Sequence, residues 1–588
     1  MKVMKFMLAL GLTLAVGSSS ALAEEPSKTE GAPMPVELRP QPAESKPAKA
    51  EPPKTKPASA APAKAAPSEA KPPKASPTNT EPPKPPERAA QTTSESDPIF
   101  GFDKILIQLN WGDDNLLLGS GETRENSPEP NFGRCSRTQI DGNVRRDCAE
   151  GGTRLGLYKK IQIDPDFSVA GALVIGMNVN TDPESSKAGQ VALFDLGSYL
   201  RIAYKFAKDG GFFTDLYPVD ARPLRLGFHP DIEWGTKDEF PKNFRRGLAP
   251  GLKLGLKISD FYVFAGAKSA LIKSPLEVEL TNEGGNRILF STRTYYGLLA
   301  GFGWAPRQGF KAEVNGGFFH KGTLTKEGVL GKDILSGGAS LRLAYADGQE
   351  IGARIDSGLY QRSATGAEQI YQASYDGDLA WSLALESTLR IQSLSDIEKP
   401  GSTKNEFSYA GHLGFKLRLG NSRLFVESRL RSLTYITAEV PGFFPYSTLP
   451  ESAATSPEVQ ALVSFDQKVG PVTLGLTAGV RLPATYEGLP PQGASDDPAT
   501  AGSRVVVVSD ADAGGWNILP AGDSASVAYW VELAAKWHPV KEFAIIGEVL
   551  YGNDSNRTQI ERDTQGHAVR VYTQPHVVGI NLLGQLLF

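Results

Sequence analysis

The chain ends in His576-Val-Val-Gly-Ile-Asn-Leu-Leu-Gly-Gln-Leu-Leu-Phe588. Val578, Ile580, Leu582, Leu586 and Phe588 share one phase of a two-residue period, while Gly579, Asn581 and Gln585 occupy the other. Successive side chains of a β-strand point to opposite faces, so this stretch reads as a strand that is apolar on one side and polar on the other. The pattern recurs upstream. Phe310, Ala312, Val314 and Phe318 alternate with Lys311, Glu313 and Asn315. Phe167, Val169, Leu173, Ile175, Met177 and Val179 alternate with Ser168, Ala170, Gly176 and Asn178, and Val472, Leu474, Leu476, Ala478 and Val480 with Thr473, Gly475, Thr477, Gly479 and Arg481.

Connections between such stretches sort into two kinds. Short turns are read at Asp164-Pro-Asp166, Ser259-Asp260, Asp347-Gly-Gln349, Asp376-Gly-Asp378, Gly420-Asn-Ser422 and His538-Pro-Val-Lys541. They alternate with long connections at 113–152, 229–249, 273–289, 437–456 and 483–524. A soluble sandwich has no reason to keep its long loops at one end, whereas a membrane barrel does. Reversing direction at every turn gives strands that begin near 104, 153, 167, 191, 212, 251, 260, 290, 309, 337, 350, 367, 379, 407, 423, 457, 472, 525, 542 and 576. The expected fold is all-β: a transmembrane antiparallel up-and-down β-barrel over residues 99–588, of about 20 strands within a range of about 16 to 22. An even number puts both ends of the barrel on one side.

In its last strand and terminal aromatic the sequence resembles a Gram-negative outer-membrane β-barrel protein of porin-like type. The resemblance implies that Phe588 is an assembly signal read by the barrel assembly machinery, and that the barrel sits in outer-membrane lipid. Trp111, Trp304, Trp381, Trp530 and Trp537 fall near strand ends, where an amphipathic ring suits the headgroup level.

The other end of the chain reads differently. Lys2 and Lys5, an apolar run from Phe6 to Val16, and Ala21-Leu22-Ala23 form the pattern of a secretory signal peptide over residues 1–23. Residues 24–98 then hold 19 prolines among 75 residues, no aromatic side chain, and 11 acidic against 11 basic residues. Such a segment buries too little apolar surface to offset its conformational entropy, so a disordered Pro/Ala/Lys-rich linker is expected, placed by the resemblance in the periplasm. Glu51-Pro-Pro-Lys54, Lys71-Pro-Pro-Lys74 and Glu81-Pro-Pro-Lys84 favour polyproline II, with a reach of roughly 230 Å when fully extended. In composition the linker resembles the spacers of periplasm-crossing proteins such as TonB. Peptidoglycan or a periplasmic protein would be its partner, and a passive leader is the other reading. It is too poor in apolar residues to be the folded plug of a TonB-dependent transporter. After the signal peptide no run of about 18 apolar residues occurs, so no helical span is expected.

Composition excludes several classes. Only 2 cysteines and 6 histidines occur, which sets aside disulfide scaffolds, zinc-finger arrays and haem-rich chains. A net charge of -4, from 62 basic and 66 acidic residues, gives no chain-wide attraction for nucleic acid. No cofactor is expected. Cys135 and Cys148 share the first long connection, and export through an oxidising compartment favours a disulfide between them, contributing about 3 kcal/mol. Two free thiols or a metal pair are the alternatives, and no nearby histidine supports the second.

The polar phase carries Lys253, Lys257, Lys311, Arg342, Arg354, Arg390, Lys416, Arg418, Arg429, Arg431, Arg481 and Lys536, with Glu313, Asp356, Glu386, Glu427, Glu532 and Glu548. These charges would be prohibitive against lipid and inexpensive against water, so they are expected to line the pore. A network that braces the wall and a track for solutes fit them equally. The connection from His229 to Ala249, with Asp231, Glu233, Lys237, Lys242, Arg245 and Arg246, is read as an inward fold that forms a constriction. His412 and His229 come with no serine nucleophile or carboxylate pair at a recognisable spacing, so no enzyme is expected. The expected function is a porin-like channel for passive or weakly selective diffusion of small hydrophilic solutes. The alternative is a structural anchor or a docking or adhesion protein that acts through the linker or the external loops.

Deleting Phe588, or making it charged, is expected to lower the amount of folded protein in the outer membrane far more than loss of one ring would. Blotting of membrane fractions checks this, and an unchanged level would leave Phe588 as one more apolar side chain.

Overall fold

The computed structural model describes residues 101–588 except 114–115, 118–152, 180–190, 209, 228, 230–231, 236–238, 241–244, 247, 281–285, 308, 325–327, 348–378, 438–445, 488–502 and 508–515. The signal peptide and linker of residues 1–98, and Cys135 and Cys148, lie outside the described residues.

In chain order the first strands are β1 (Lys104–Asp113), β2 (Arg154–Gln162), β3 (Phe167–Val179), β4 (Val191–Asp195), β5 (Tyr199–Ala207), β6 (Gly210–Tyr217), β7 (Arg245–Arg246), β8 (Gly251–Ile258) and β9 (Phe261–Leu280). Next come β10 (Asn286–Arg307), β11 (Phe310–Thr323), β12 (Asp333–Asp347), β13 (Leu379–Ser395), β14 (Thr403–Leu419), β15 (Ser422–Arg431), β16 (Ala454–Ser456), β17 (Glu458–Val469) and β18 (Val472–Leu482). The last are β19 (Thr485–Glu487), β20 (Arg504–Val507), β21 (Trp516–Ile518), β22 (Ala528–Val540), β23 (Phe543–Asn553), β24 (Thr558–Arg562), β25 (Ala568–Tyr572) and β26 (His576–Leu587).

Two wall strands are broken. β4 and β5 both pair with β3, and β7 and β8 both pair with β9. At the first break Asp195 accepts hydrogen bonds from the Gly197 and Ser198 amides, at 3.0 and 3.1 Å, and Ser198 Oγ accepts from the Val174 amide at 2.9 Å. The ladder is thus patched by side chains where the strand is interrupted. Counting each broken pair once, the wall is an antiparallel barrel of 18 strands.

β26 closes it. It pairs with β1 from Leu106↔Leu587 to Asp113↔Ile580, and Ile105 and Phe588 exchange N–H···O bonds of 3.0 and 2.9 Å. Phe588 therefore completes the seam, with its ring on the outside at 61% exposure.

The strands expected from 350 and 367 have no place in this wall. β12 pairs directly with β13, from Ser336↔Gln392 to Asp347↔Trp381. Residues 348–378, including Arg354 and Asp356, lie outside the described residues. Removing two strands from the count leaves the direction of β13, and of every strand after it, unchanged.

The connection expected at 273–289 is mostly strand. β9 runs to Leu280 and β10 starts at Asn286, paired as a long hairpin. Pro275 reads as a breaker, but it sits opposite Phe290 at a register shift, where a missing amide donor is tolerated. The connections at 437–456 and 483–524 are not plain loops either. Helix Leu433–Thr437 leads into them, and β16, β19, β20 and β21 form a separate sheet. Leu433, Ile436, Ala484, Tyr486, Val505, Val507 and Ile518 are buried together there.

Outside and inside follow the alternation. Leu298, Leu385 and Leu533 are more than half exposed, whereas Gln108, Thr388 and Arg481 are wholly buried. Such an apolar exterior is unfavourable in water and suits a bilayer, where an ionised outward side chain costs about 2–4 kcal/mol at the midplane. Trp111, Trp304 and Trp537 lie on the exposed side, and Trp381, half-buried, packs on Tyr345 at 5.1 Å. Trp530 does not join them. It shares the phase of Glu532 and Lys536, so it points inward and packs with Leu550 and Val577.

Because the 18 wall strands, each broken pair counted once, form a closed hydrogen-bonded ring, unheated protein is expected to run faster than boiled protein on SDS gels. Equal mobility would contradict a closed barrel.

Candidate functional site: the barrel lumen

The segment formed by the described residues between β6 and β7 turns into the barrel. Its neck is pinched by a bridge between Asp220 and Ala249, with Ala221 donating to Ala249 O at 2.8 Å and Ala249 donating to Val219 O at 3.0 Å. Leu226 and Trp234 then pair as a minimal hairpin through two bonds of 2.9 Å. A greasy side packs Leu224, Leu226, Trp234 and Phe240 against Ile272, Leu299 and Phe319, all buried. Trp234 and Phe240 meet the Phe319 ring edge-on at 6.0 and 5.9 Å.

Glycines on the wall make room for this. A Cβ at Gly338 would lie 3.0 Å from the Trp234 ring and 2.4 Å from Leu389 O, and one at Gly317 would lie 2.7 Å from Leu226. A strand glycine often marks such a close approach.

Polar contacts fix the segment's height and angle. Trp234 Nε1 donates to Ser340 Oγ at 3.1 Å, and Thr388 Oγ1 donates to Ile232 O at 3.1 Å. Tyr435 OH donates to the same carbonyl at 2.5 Å; burial pushes this hydroxyl up, so it stays a donor. The Gly227 and His229 amides donate to Asn315 Oδ1 and Glu386 Oε2, at 3.3 and 2.9 Å. Lys268 Nζ donates to Gly235 O at 2.6 Å.

Glu239 is the anchor. Its wholly buried carboxylate lies 2.8 Å from Arg390 and 3.2 Å from Lys321. Burial alone would raise its pKa, but the two cations outweigh burial and hold it at about 2.

The charges read from the sequence divide into two groups. Lys253, Glu386, Arg390, Arg418, Arg429, Arg431, Arg481 and Lys536 are buried. Lys257 and Lys311 are exposed, and Glu313, Arg342, Lys416, Glu427, Glu532 and Glu548 are partly so. Glu313 lies 3.4 Å from Arg342 and accepts from Tyr262 OH at 2.5 Å. Glu548 accepts from Asn581 at 2.8 Å.

On the arc from β14 to β22 the arginines are gathered by acids. Glu458 lies 2.9 Å from Arg431, 3.0 Å from Arg429 and 3.9 Å from Arg481, and Arg423 lies 2.6 Å from Asp466. Glu458, Asp466 and Arg423 are not among the charges expected from the sequence to line the pore, although the alternation puts all three in the inner phase. Glu239 could not be found this way, since nothing local marks a connection residue as a wall contact.

The structure also joins two residues that the sequence kept apart. His229, from the inward segment, stacks on His412 of β14 with ring centroids 3.8 Å apart, and Glu427 of β15 lies 3.8 Å from His229 Nε2. Asp231, Lys237 and Lys242, and the side chains of Arg245 and Arg246, lie outside the described residues.

No family model matches the chain. No curated protein matches it either. Among solved structures it is similar to OccAB3 of Acinetobacter baumannii, at 8% identity and a TM-score of 0.39, over 82% of this chain and 98% of that one. It is similar to OprD of Pseudomonas aeruginosa at 9% and 0.36, over 82% and 94%. The anion-selective porin from Comamonas acidovorans gives 10% and 0.34, over 82% and 98%. At identities and scores of this size, the likenesses carry no argument about this chain's function.

Glu239→Gln removes one side of a buried charge cluster and is expected to weaken the anchor by about 3–5 kcal/mol, raising current noise in planar bilayers at pH 7. In the unaltered protein the folded pKa of Glu239 lies below its ordinary 4.5, so its contribution is complete above that pH and is lost as pH falls toward about 2. Noise that is flat from pH 7 to 5 and rises only in stronger acid is the expected profile.

Proposed function

We propose that the chain is an outer-membrane diffusion channel for small hydrophilic solutes, weakly selective for anions, with the inward segment as its constriction. The observation that carries this reading is the sorting of the two phases: an apolar exterior, and an interior whose buried charged side chains number twelve basic and eight acidic among the described residues. Much of the basic excess lies on the arc from β14 to β22, as Arg418, Arg423, Arg429, Arg431, Arg481 and Lys536. A low-dielectric wall makes such an excess felt by an ion passing within a Debye length, about 8 Å at physiological salt. Selection then needs no turnover, only the width left beside the segment and the sign of the field.

The full-length protein in planar bilayers should give steps whose reversal potential in a low-salt gradient favours anions. The preference should shrink as salt is raised and fall when Arg429 and Arg431 are both replaced by Gln. Cation preference at low salt would contradict the anion preference and place acidic residues at the constriction. Absence of conductance in properly inserted protein would favour the anchor or docking reading.

A further inference from the structure

His229, His412 and Glu427 come from three separate elements, yet one ligand atom from each lies within 4.8 Å of the others. The wall supplies two of them. Gly414 of β14 faces Glu427 of β15, and His412 faces Arg429, so His412 and Glu427 are diagonal neighbours on the inner face. The third arrives with the inward segment, where the His229 amide is held by Glu386 at 2.9 Å. His229 and Glu427 side chains keep 16% and 20% exposure, so an ion can reach them.

We propose that this trio binds one divalent transition-metal ion, zinc being the type case, and that the ion clamps the inward segment to β14 and β15. Two imidazole nitrogens and one carboxylate oxygen are a donor set that zinc accepts with a fourth position left to water. Magnesium and calcium prefer oxygen donors and are not suited to it. Bonds of about 2.0–2.2 Å require the three donors to close in from their present spacing. Side-chain rotation, including an unstacking of the two imidazoles, supplies that movement from a starting separation of no more than 4.8 Å. Arg429, across from His412, opposes a dication, and Glu458, 3.0 Å from it but shared with Arg431 and Arg481, offsets only part of that charge. The binding claim stands independently of conduction; only its effect on current rests on the channel reading.

The test uses the full-length folded protein, treated with chelator and then titrated with zinc chloride in calorimetry, beside His229→Ala, His412→Ala and His320→Ala variants. His229 lies outside the wall, so its replacement leaves the barrel intact, and heat-modifiable gel mobility checks each variant. The expected result is one zinc per chain, unaffected by magnesium and unchanged in His320→Ala, with affinity weakened at least about tenfold in the other two. In bilayers the same zinc should lower noise and conductance reversibly with EDTA. No zinc binding, or equal affinity in all the variants, overturns the site. Binding with the expected variant pattern but no conductance in any condition upholds the site and removes the channel reading instead.

Discussion

A strand in a bilayer has no water to satisfy its backbone, so every N–H and C=O must find a partner within the chain. Pairing of β26 with β1 meets that demand for the last open edges, and the rest of the molecule follows from it. Once the sheet is closed, one phase of every strand faces lipid and the other faces inward. Apolar residues on the first phase cost nothing; the polar residues that alternate with them must be accommodated inside.

The interior solves this in two ways. On β9 to β14 the inward segment covers the wall with Leu224, Leu226, Trp234 and Phe240, and its carbonyls and amides bond to wall side chains. On β14 to β22 the chain instead gathers charges, with Glu458 serving three arginines. Glu239 and Glu458 play equivalent parts: each is a buried acid whose removal would leave cations uncompensated. The two regions meet at β14, where His412 receives His229.

Strand phase was legible because it is written every second residue. The alternation within each strand puts Arg481, Arg429 and Glu386 on the inner side, and by the same rule Trp530, in phase with Glu532 and Lys536, belongs there. Two features misled. Pro275 suggested a loop where a register shift absorbs it, and the apolar run Val505-Val506-Val507 inside a long connection gave no period by which to recognise a strand. The site was legible only in part. An inward fold from His229 could be expected from its length and mixed charge, but its anchor through Glu239 and the meeting of His229 with His412 depend on contacts between distant strands, which no local pattern encodes.

The two phases of the wall face different solvents. Single cysteines can be placed at the inner positions Lys257, Lys311, Lys416 and Glu532 and at the outer positions Leu254, Val314, Leu413 and Leu533, in a chain whose Cys135 and Cys148 are replaced by Ser. Labelling the membrane-inserted protein with a charged, water-soluble thiol reagent and with a bilayer-soluble one reads the phase directly. The account predicts that the charged reagent modifies the inner set and the bilayer-soluble reagent the outer set. Labelling by the charged reagent without regard to phase would contradict it.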